Sequence, residues 1–290
     1  MLPPARRNTW ARFTSGEIYR RIETGYDDLA PTYDGDVGAN PIGERMRGIF
    51  RSALLRAFSP GHVVFEIGSG TGIDALWLAH RGIEVVATDI SGRMIEEVSR
   101  KARARGLSEL VRCRKLCAAG IGQLASEFGY EAFDGGFSHA GALNMEPRIE
   151  QVPGQVSSLL KTGMPFICSV INKTSLFEVL FYMAVLKPRK AFRRIGGVVP
   201  IPISRTGPMK NYVVPTRFYS AHDMIRLFRG RFSVETIQAM QVFLPPSNLA
   251  DEYVALLPIF APMDRVERCL SFCWPLNSWG HHTILTFRRA

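Results

Sequence analysis

The chain has 290 residues, 46% apolar and 21% charged, which suits a globular protein with a real core and excludes a disordered or fibrous one. Its net charge is +10, and only seven of its 36 basic residues are Lys. A basic balance attracts anions such as nucleic acid or a membrane surface, but does not choose between these and a merely solvated surface.

Five cysteines form no C-x-x-C, and the start MLPPARRNTW lacks the apolar run of a secretory signal. The reading is a reducing, cytoplasmic protein without a metal site. The most apolar run, Ser175–Leu186, is too short to span a bilayer and contains Glu178.

In chain order, residues 1–60 read as a helical cap. EIYRRIETGYDDLAPTYD and GERMRGIFRSALLRAF carry apolar residues at helical spacing, and Pro60-Gly61 ends the second. Strands then alternate with helices. Val63–Ile67 is a strand and Ile73–Arg81 a helix; Glu84–Thr88 is a strand and Arg93–Arg105 a helix. Val111–Cys117 and Phe133–Ser138 are the third and fourth strands. A helix near Gln151–Lys161, the strand Pro165–Ile171 and the helix Leu176–Leu186 follow. This order implies a parallel sheet with right-handed crossovers.

Residues 187–220 are rich in Gly and Pro and read as an insertion or lid rather than a sheet element. Phe232–Val242 is a sixth strand, Leu249–Phe272 is mostly helical, and Thr283–Arg288 is the terminal strand. Residues 61–290 thus form one α/β fold, with insertions at about 174–220 and 243–280.

Val63–Ser91, VVFEIGSGTGIDALWLAHRGIEVVATDIS, is the informative unit. A dinucleotide fold wants G-x-G-x-x-G at the head of a helix. Here Gly68, Gly70 and Gly72 give G-x-G-x-G, and Ile73 takes the third dinucleotide position. Glu66, two residues before the first glycine, opposes a phosphate at that helix N-terminus. It suits a cationic ligand, and S-adenosylmethionine carries a sulfonium and an ammonium without phosphate. Asp89, 21 residues after Gly68, is placed to accept ribose hydroxyls.

EIGSGTG together with TDIS resembles the class I S-adenosylmethionine-dependent methyltransferases, in particular the small-molecule branch similar to quinone C-methyltransferases. YDDLAPTYD (Tyr26–Asp34), FDGGFSHAGALN (Phe133–Asn144), LLKTGMPFICSVIN (Leu159–Asn172) and RFYSAHDMIRLFRGRF (Arg217–Phe232) extend the resemblance. It implies a Rossmann-like, seven-stranded, mostly parallel sheet with helices on both faces, whose antiparallel last strand is Thr283–Arg288. It also implies a cofactor site at Tyr26, Tyr33, Glu66, Gly68, Ser69, Gly70, Gly72, Asp89, Ile90, Met94, Ala118, Ala119, Ser138 and His139. The Asp that the family usually sets beside the adenine is missing from CAAGIGQL (Cys117–Leu124), and the usual turn before the fifth strand reads KTGMP (Lys161–Pro165).

His139 follows the fourth strand, where open α/β sheets place ligands, and is either a general base or an ordinary loop histidine. His222 is a further candidate, beside Asp223, which forms a capping box with Ser220. His282, with His281, precedes the last strand. KPRKAFRR (Lys187–Arg194) after the apolar helix offers a weak membrane-surface contact through Leu176–Arg194, or is a solvated helix end.

The expectation is methyl transfer to O, N or C of a small, hydrophobic substrate. RNA or protein methylation is the alternative, with no N/D-P-P-Y motif or binding module to favour nucleic acid. A cofactor-binding protein without transfer activity, or a repurposed cyclase, is the third. Oligomeric state is not readable.

Overall fold

The computed structural model describes residues 13–38, 40–203, 212–246 and 257–290. Three helices lead in: α1 (Ser15–Leu29), α2 (Tyr33–Gly38) and α3 (Pro41–Ala57). Thr14 and Glu17 close a capping box on α1, and Asn40 caps α3 with Pro41 at its first turn.

The alternating part runs β1 (Val63–Ile67), α4 (Ile73–Ala79), β2 (Glu84–Asp89), α5 (Gly92–Ala104) and β3 (Val111–Lys115). It continues through a 3₁₀ segment Ala118–Leu124, α6 (Ala125–Phe128), β4 (Gly135–Ser138), α7 (Ala142–Met145), α8 (Val152–Leu159) and β5 (Pro165–Ile171). Next come α9 (Leu176–Ala184), α10 (Pro188–Ala191), β6 (Val198–Pro202) and β7 (Val213–Arg217). The chain closes with α11 (Ala221–Phe228), β8 (Phe232–Met240), α12 (Leu257–Leu270) and β9 (His282–Arg289).

Seven strands form one sheet in the order β3-β2-β1-β4-β5-β9-β8. The β1 to β5 pairings are parallel, and β9 runs antiparallel to both β5 and β8. The Rossmann-like sheet with an antiparallel last strand is therefore as expected. Alternation along the strands feeds two cores. Val64, Phe137, Ile167 and Ile284 point to one side, against Phe50, Leu54, Leu76 and Val98 of α3, α4 and α5. Phe65, Phe166, Leu285 and Phe287 point to the other, against Val152, Val156 and Phe228 of α8 and α11.

Several expected bounds shift. β3 stops at Lys115; Leu116 N–H makes a last bond to Asp89 O, and the chain then turns into the 3₁₀ segment. β4 starts at Gly135; Phe133 makes only an isolated bridge to Leu160. Residues 187–220 are not free of sheet structure, since β6 and β7 pair antiparallel as a separate two-stranded sheet. Pro200 and Pro215 face each other there, which two edge strands tolerate because proline has no N–H to leave unpaired. Of the helix expected at 249–272, α12 is the described portion; 247–256, 204–211 and the first twelve residues lie outside the described residues. No helix among the described residues is long and apolar enough to cross a membrane.

Candidate functional site

The glycine loop follows β1 directly. Gly68, Gly70 and Gly72 all have positive φ, at 73°, 53° and 80°, which is why glycine stands there. Gly68 N–H and Ser69 N–H both donate to Thr88 O, tying the loop to the end of β2. Asp89 follows, and its Oδ2 accepts from Gly70 N–H at 2.9 Å while its Oδ1 accepts from Ser91 N–H at 2.9 Å. Burial raises the Asp89 carboxyl, against the pull of those amides.

A cleft opens at the carboxyl ends of the strands, as expected for an open parallel sheet. Ile67, Gly68, Gly70, Asp89, Ile90, Leu116, Cys117 and Ala118 line it from the sheet side. His139, Ala140, Ala142, Met145 and Glu146 line it after β4, and Tyr19, Ile22, Tyr26 and Tyr33 close it from α1 and α2.

Side-chain bonds dock those two helices. Asp27 Oδ1 accepts from Ser91 Oγ at 2.5 Å and from Arg93 N–H at 3.1 Å. Asp34 accepts from Thr71 Oγ1 at 2.5 Å and pairs with Lys101. Tyr212 O–H, just before β7, donates to Arg21 O of α1 at 2.9 Å. Burial holds Tyr26 and Tyr33 protonated, with Tyr33 pushed up to about 12.

Beside the cleft lies a buried charged group. His139 Nδ1 is 2.9 Å from Asp74 Oδ2, and the His139 ring stacks on Phe50 at 4.1 Å. Arg51 Nε donates to Asp74 Oδ1 at 2.8 Å and Arg47 Nη1 to Oδ2 at 3.5 Å. Glu66 is 2% exposed, and its Oε2 has no hydrogen-bond partner. Burial pushes its carboxyl well above the usual range, with Asp74 adding and Arg47 opposing. Arg47 Nε is likewise buried without a hydrogen bond, beyond a 3.5 Å approach to Glu44.

Reading the sequence missed Glu146, Tyr19, Arg47 and Asp74. Glu146 Oε2 accepts from Ala119 N–H at 3.0 Å, its Oε1 accepts from Arg148 N–H at 2.8 Å, and Tyr19 O–H donates to Oε1. An acid therefore does stand beside the loop after β3. It comes from the segment after β4, so no local pattern could reveal it.

Of the expected site residues, Tyr26, Tyr33, Gly68, Gly70, Asp89, Ile90, Ala118 and His139 line the cleft. Others do not. A Cβ on Gly72 would sit 2.8 Å from Val98 Cγ1, so its bareness serves helix packing. Met94 is fully buried in the core, Ser138 Oγ donates to Ile67 O, and Ser69 is buried behind the loop. Ala119 spends its N–H on Glu146. His222 is exposed on α11, beside the capping box of Ser220 and Asp223. His282 is buried and is not among the residues that line the cleft; its Nδ1 is 2.8 Å from His281 Nδ1. Burial, then Arg194 and His139, push it down to about 3. Among the described residues, no group of three or more His, Cys, Asp or Glu could hold a metal ion.

Residues 64–163 match the family described as a methyltransferase domain. A search of curated proteins finds no match to this chain. Among solved structures, the 4+2 cyclase SpnF superimposes with TM-score 0.60 at 17% identity, covering 95% of this chain and 97% of its own. The 1,6-didemethyltoxoflavin N1-methyltransferase of Burkholderia thailandensis, with S-adenosylhomocysteine bound, gives 0.57 at 15% identity, covering 96% and 91%. The geranyl diphosphate C-methyltransferase of Streptomyces coelicolor A3(2), also with S-adenosylhomocysteine, gives 0.53 at 14% identity, covering 85% and 81%. Likeness at such identities speaks for the fold, and the matched segment spans the glycine loop, Asp89 and β4. Residues 64–163 are similar to a methyltransferase domain, and the chain as a whole shares the fold of these structures.

Proposed function

We propose that this protein transfers a methyl group from S-adenosylmethionine to an oxygen, nitrogen or carbon of a small, largely apolar metabolite, of natural-product, lipid or quinone-like type. One observation carries the reading. In a chain of net charge +10, the cleft is lined by Asp89 and Glu146 and, among the described residues, by no Lys or Arg. A pyrophosphate would meet two carboxylates there, whereas a cationic cofactor is attracted. When bound, S-adenosylmethionine supplies an electrophilic methyl on a positively charged sulfur.

The residues present suit that group. Gly68 and Gly70 let the backbone approach closely. Each Asp89 oxygen accepts one amide, which leaves lone pairs for the ribose hydroxyls. Ile90 and Ala118 would flank the base, and Glu146 would supply an acceptor on the adenine side. Glu66 Oε2 and Arg47 Nε are buried without a hydrogen bond, and a cation beside Glu66 would favour its ionised form. The ammonium and carboxylate of an amino acid end would complete both.

Asp74, when ionised, can only accept, so His139 Nδ1 carries the hydrogen it shares with it. Nε2 is then the ring's basic atom, free to take the proton from a hydroxyl or amine acceptor as it attacks. Phe50 and Asp74 fix the ring, and Arg51 fixes Asp74, so Asp74 is a positioning residue. The groups beside His139 in the cleft, Ala140, Ala142 and Met145, are apolar, and this favours an apolar acceptor. The tyrosines of α1 and α2 exclude water and hold the reactants in line, which alone removes much of a methyl-transfer barrier.

The test is calorimetric titration with S-adenosylmethionine, S-adenosylhomocysteine and NADH, beside Asp89→Ala. Binding of the first two, lost in the variant, supports the reading and opens an acceptor screen of apolar metabolites. Binding of NADH alone ends it. A second reading, a cofactor-binding cyclase without methyl transfer, draws on the fold likeness to SpnF. Cofactor binding with turnover of an acceptor that gains no methyl selects it.

A further inference from the structure

α9 and α10 pack on each other as a short helical finger. Its base is clamped. Glu178 accepts from Arg194 Nε and Nη2, both at 2.7 Å, and Arg194 Nη1 donates to Asn172 O at 3.0 Å. Glu178 and Arg194 are both buried, and Phe177 leans on Phe260 of α12. A rigid base keeps the tip from folding back onto the core.

The tip is apolar and bare. Leu180, Phe181, Met183 and Val185 are exposed, and Leu186 is 87% exposed. Leu186 also has φ +54°, the left-handed conformation that ends a helix and usually falls to glycine. Folding gains nothing from a bulky apolar side chain at that position. On α10, Phe192 extends the apolar surface.

Cations ring this tip. Lys187, Arg189 and Lys190 are exposed and form no ion pair with a carboxylate among the described residues. From Val179 to His222 the chain has eight Lys and Arg and no Asp or Glu. This one segment holds much of the net positive charge.

We infer that the α9–α10 finger docks on an anionic lipid surface, with Leu180, Phe181 and Leu186 entering the headgroup region and Lys187, Arg189 and Lys190 meeting lipid phosphates. Exposed apolar groups flanked by cations that meet no carboxylate among the described residues match both parts of such a surface. A nucleic acid would use the cations but leave the aliphatic tip in water. α9 leaves the sheet at the carboxyl end of β5, the edge on which the cleft opens. Where the acceptor is apolar, as proposed above, docking would bring that edge to a bilayer that dissolves it.

The experiment is sedimentation of the full chain with vesicles of phosphatidylcholine alone and of phosphatidylcholine mixed with phosphatidylglycerol, at low and high salt. It needs no turnover, so its outcome is independent of the methyl-transfer reading. Recovery with the anionic vesicles only, weakened by salt, is expected. Leu186→Glu should lower partitioning about tenfold. Replacing Lys187, Arg189 and Lys190 together by Gln should lower it about a hundredfold at low salt, near fivefold per cation. These positions are exposed, so S-adenosylhomocysteine affinity should not change in either variant and reports correct folding.

Equal recovery with both vesicle types, or with neither, overturns the inference. Binding that survives Leu186→Glu but not loss of the cations would mark a general anion surface and also overturn it. So would a concentration-dependent dimer, seen by light scattering, that Leu186→Glu dissolves, since the finger would then serve a second copy of the chain.

Discussion

His139 Nδ1 and Asp74 Oδ2 stand 2.9 Å apart although 65 residues separate them in sequence. One follows β4 and the other sits in the first turn of α4, so the parallel pairing of β1 with β4 brings them together. The hydrogen bond sets the imidazole tautomer, and the stacked Phe50 ring sets its plane. Under the proposed function, this fixed histidine is the group that takes the acceptor's proton.

His139→Ala should lower kcat for a hydroxyl or amine acceptor about a hundredfold and leave the cofactor Kd within about twofold. Asp74→Asn should lower kcat at least about tenfold and shift the pH profile, because an amide can turn its NH₂ toward Nδ1 and reverse the tautomer. Steady-state kinetics over pH decide this. Unchanged kcat in both variants would sink the base assignment.

Acid sensitivity should follow Asp74. Burial opposes its ionisation, but the His139 hydrogen bond, with Arg47 and Arg51, holds its carboxyl at about 2 against an ordinary 3.8. Its folded value lies below its unfolded one, so the stabilisation is full above pH 4 and is lost as pH falls toward 2. The shift corresponds to about 2 kcal/mol. Denaturant melts of wild type between pH 6 and pH 3 should lose about 1 kcal/mol more than melts of Asp74→Asn, with the remainder lost below pH 3.

Glu66 should make cofactor binding pH-dependent. Burial raises its carboxyl in the free protein, and a cation on Oε2 favours the ionised form. Binding then releases a proton, so affinity rises with pH up to the free-protein value and levels off above it. Each pH unit below that point costs up to about tenfold. Calorimetry in buffers of different ionisation enthalpy reads the released proton, and Glu66→Gln should abolish it. Proton uptake instead would refute a cation at this carboxylate.

The loop glycines should separate into two kinds. A Cβ on Gly72 meets Val98 at 2.8 Å, with φ +80°, so Gly72→Ala should cost about 2–4 kcal/mol and leave the folded protein's cofactor affinity intact. A Cβ on Gly70 meets only the Tyr33 ring, at 3.5 Å. Gly70→Ala should cost only about 1–2 kcal/mol of strain, yet weaken cofactor binding because the methyl occupies the cleft. Melting temperature and Kd, measured on both variants, test the distinction.

Glu146→Ala should weaken S-adenosylhomocysteine about tenfold and speed hydrogen exchange in Ser15–Leu29, since Tyr19 and Ala119 N–H both lose their acceptor. Glu146→Gln, which still accepts, should fall between. No change in either readout would mean that Glu146 neither meets the adenine side nor holds α1.

The sequence by itself determined the order of strands and helices of the seven-stranded sheet, the glycine loop and Asp89, but not the β6–β7 pair. Those signals are local: hydrophobic period fixes an element, and the positive φ of Gly68 and Gly70 is a demand of the single turn that carries them. The tertiary structure decided which side chains share the cleft. Glu146 reaches Ala119 across 27 residues, Tyr19 reaches Glu146 across 127, and Arg47 reaches Asp74 across 27. It also withdrew Met94, Ser138 and Gly72 into packing and buried His282 against His281. Period and spacing say where a residue lies along its own element. Which neighbour satisfies a buried carboxylate depends on loops that meet only after the sheet has formed.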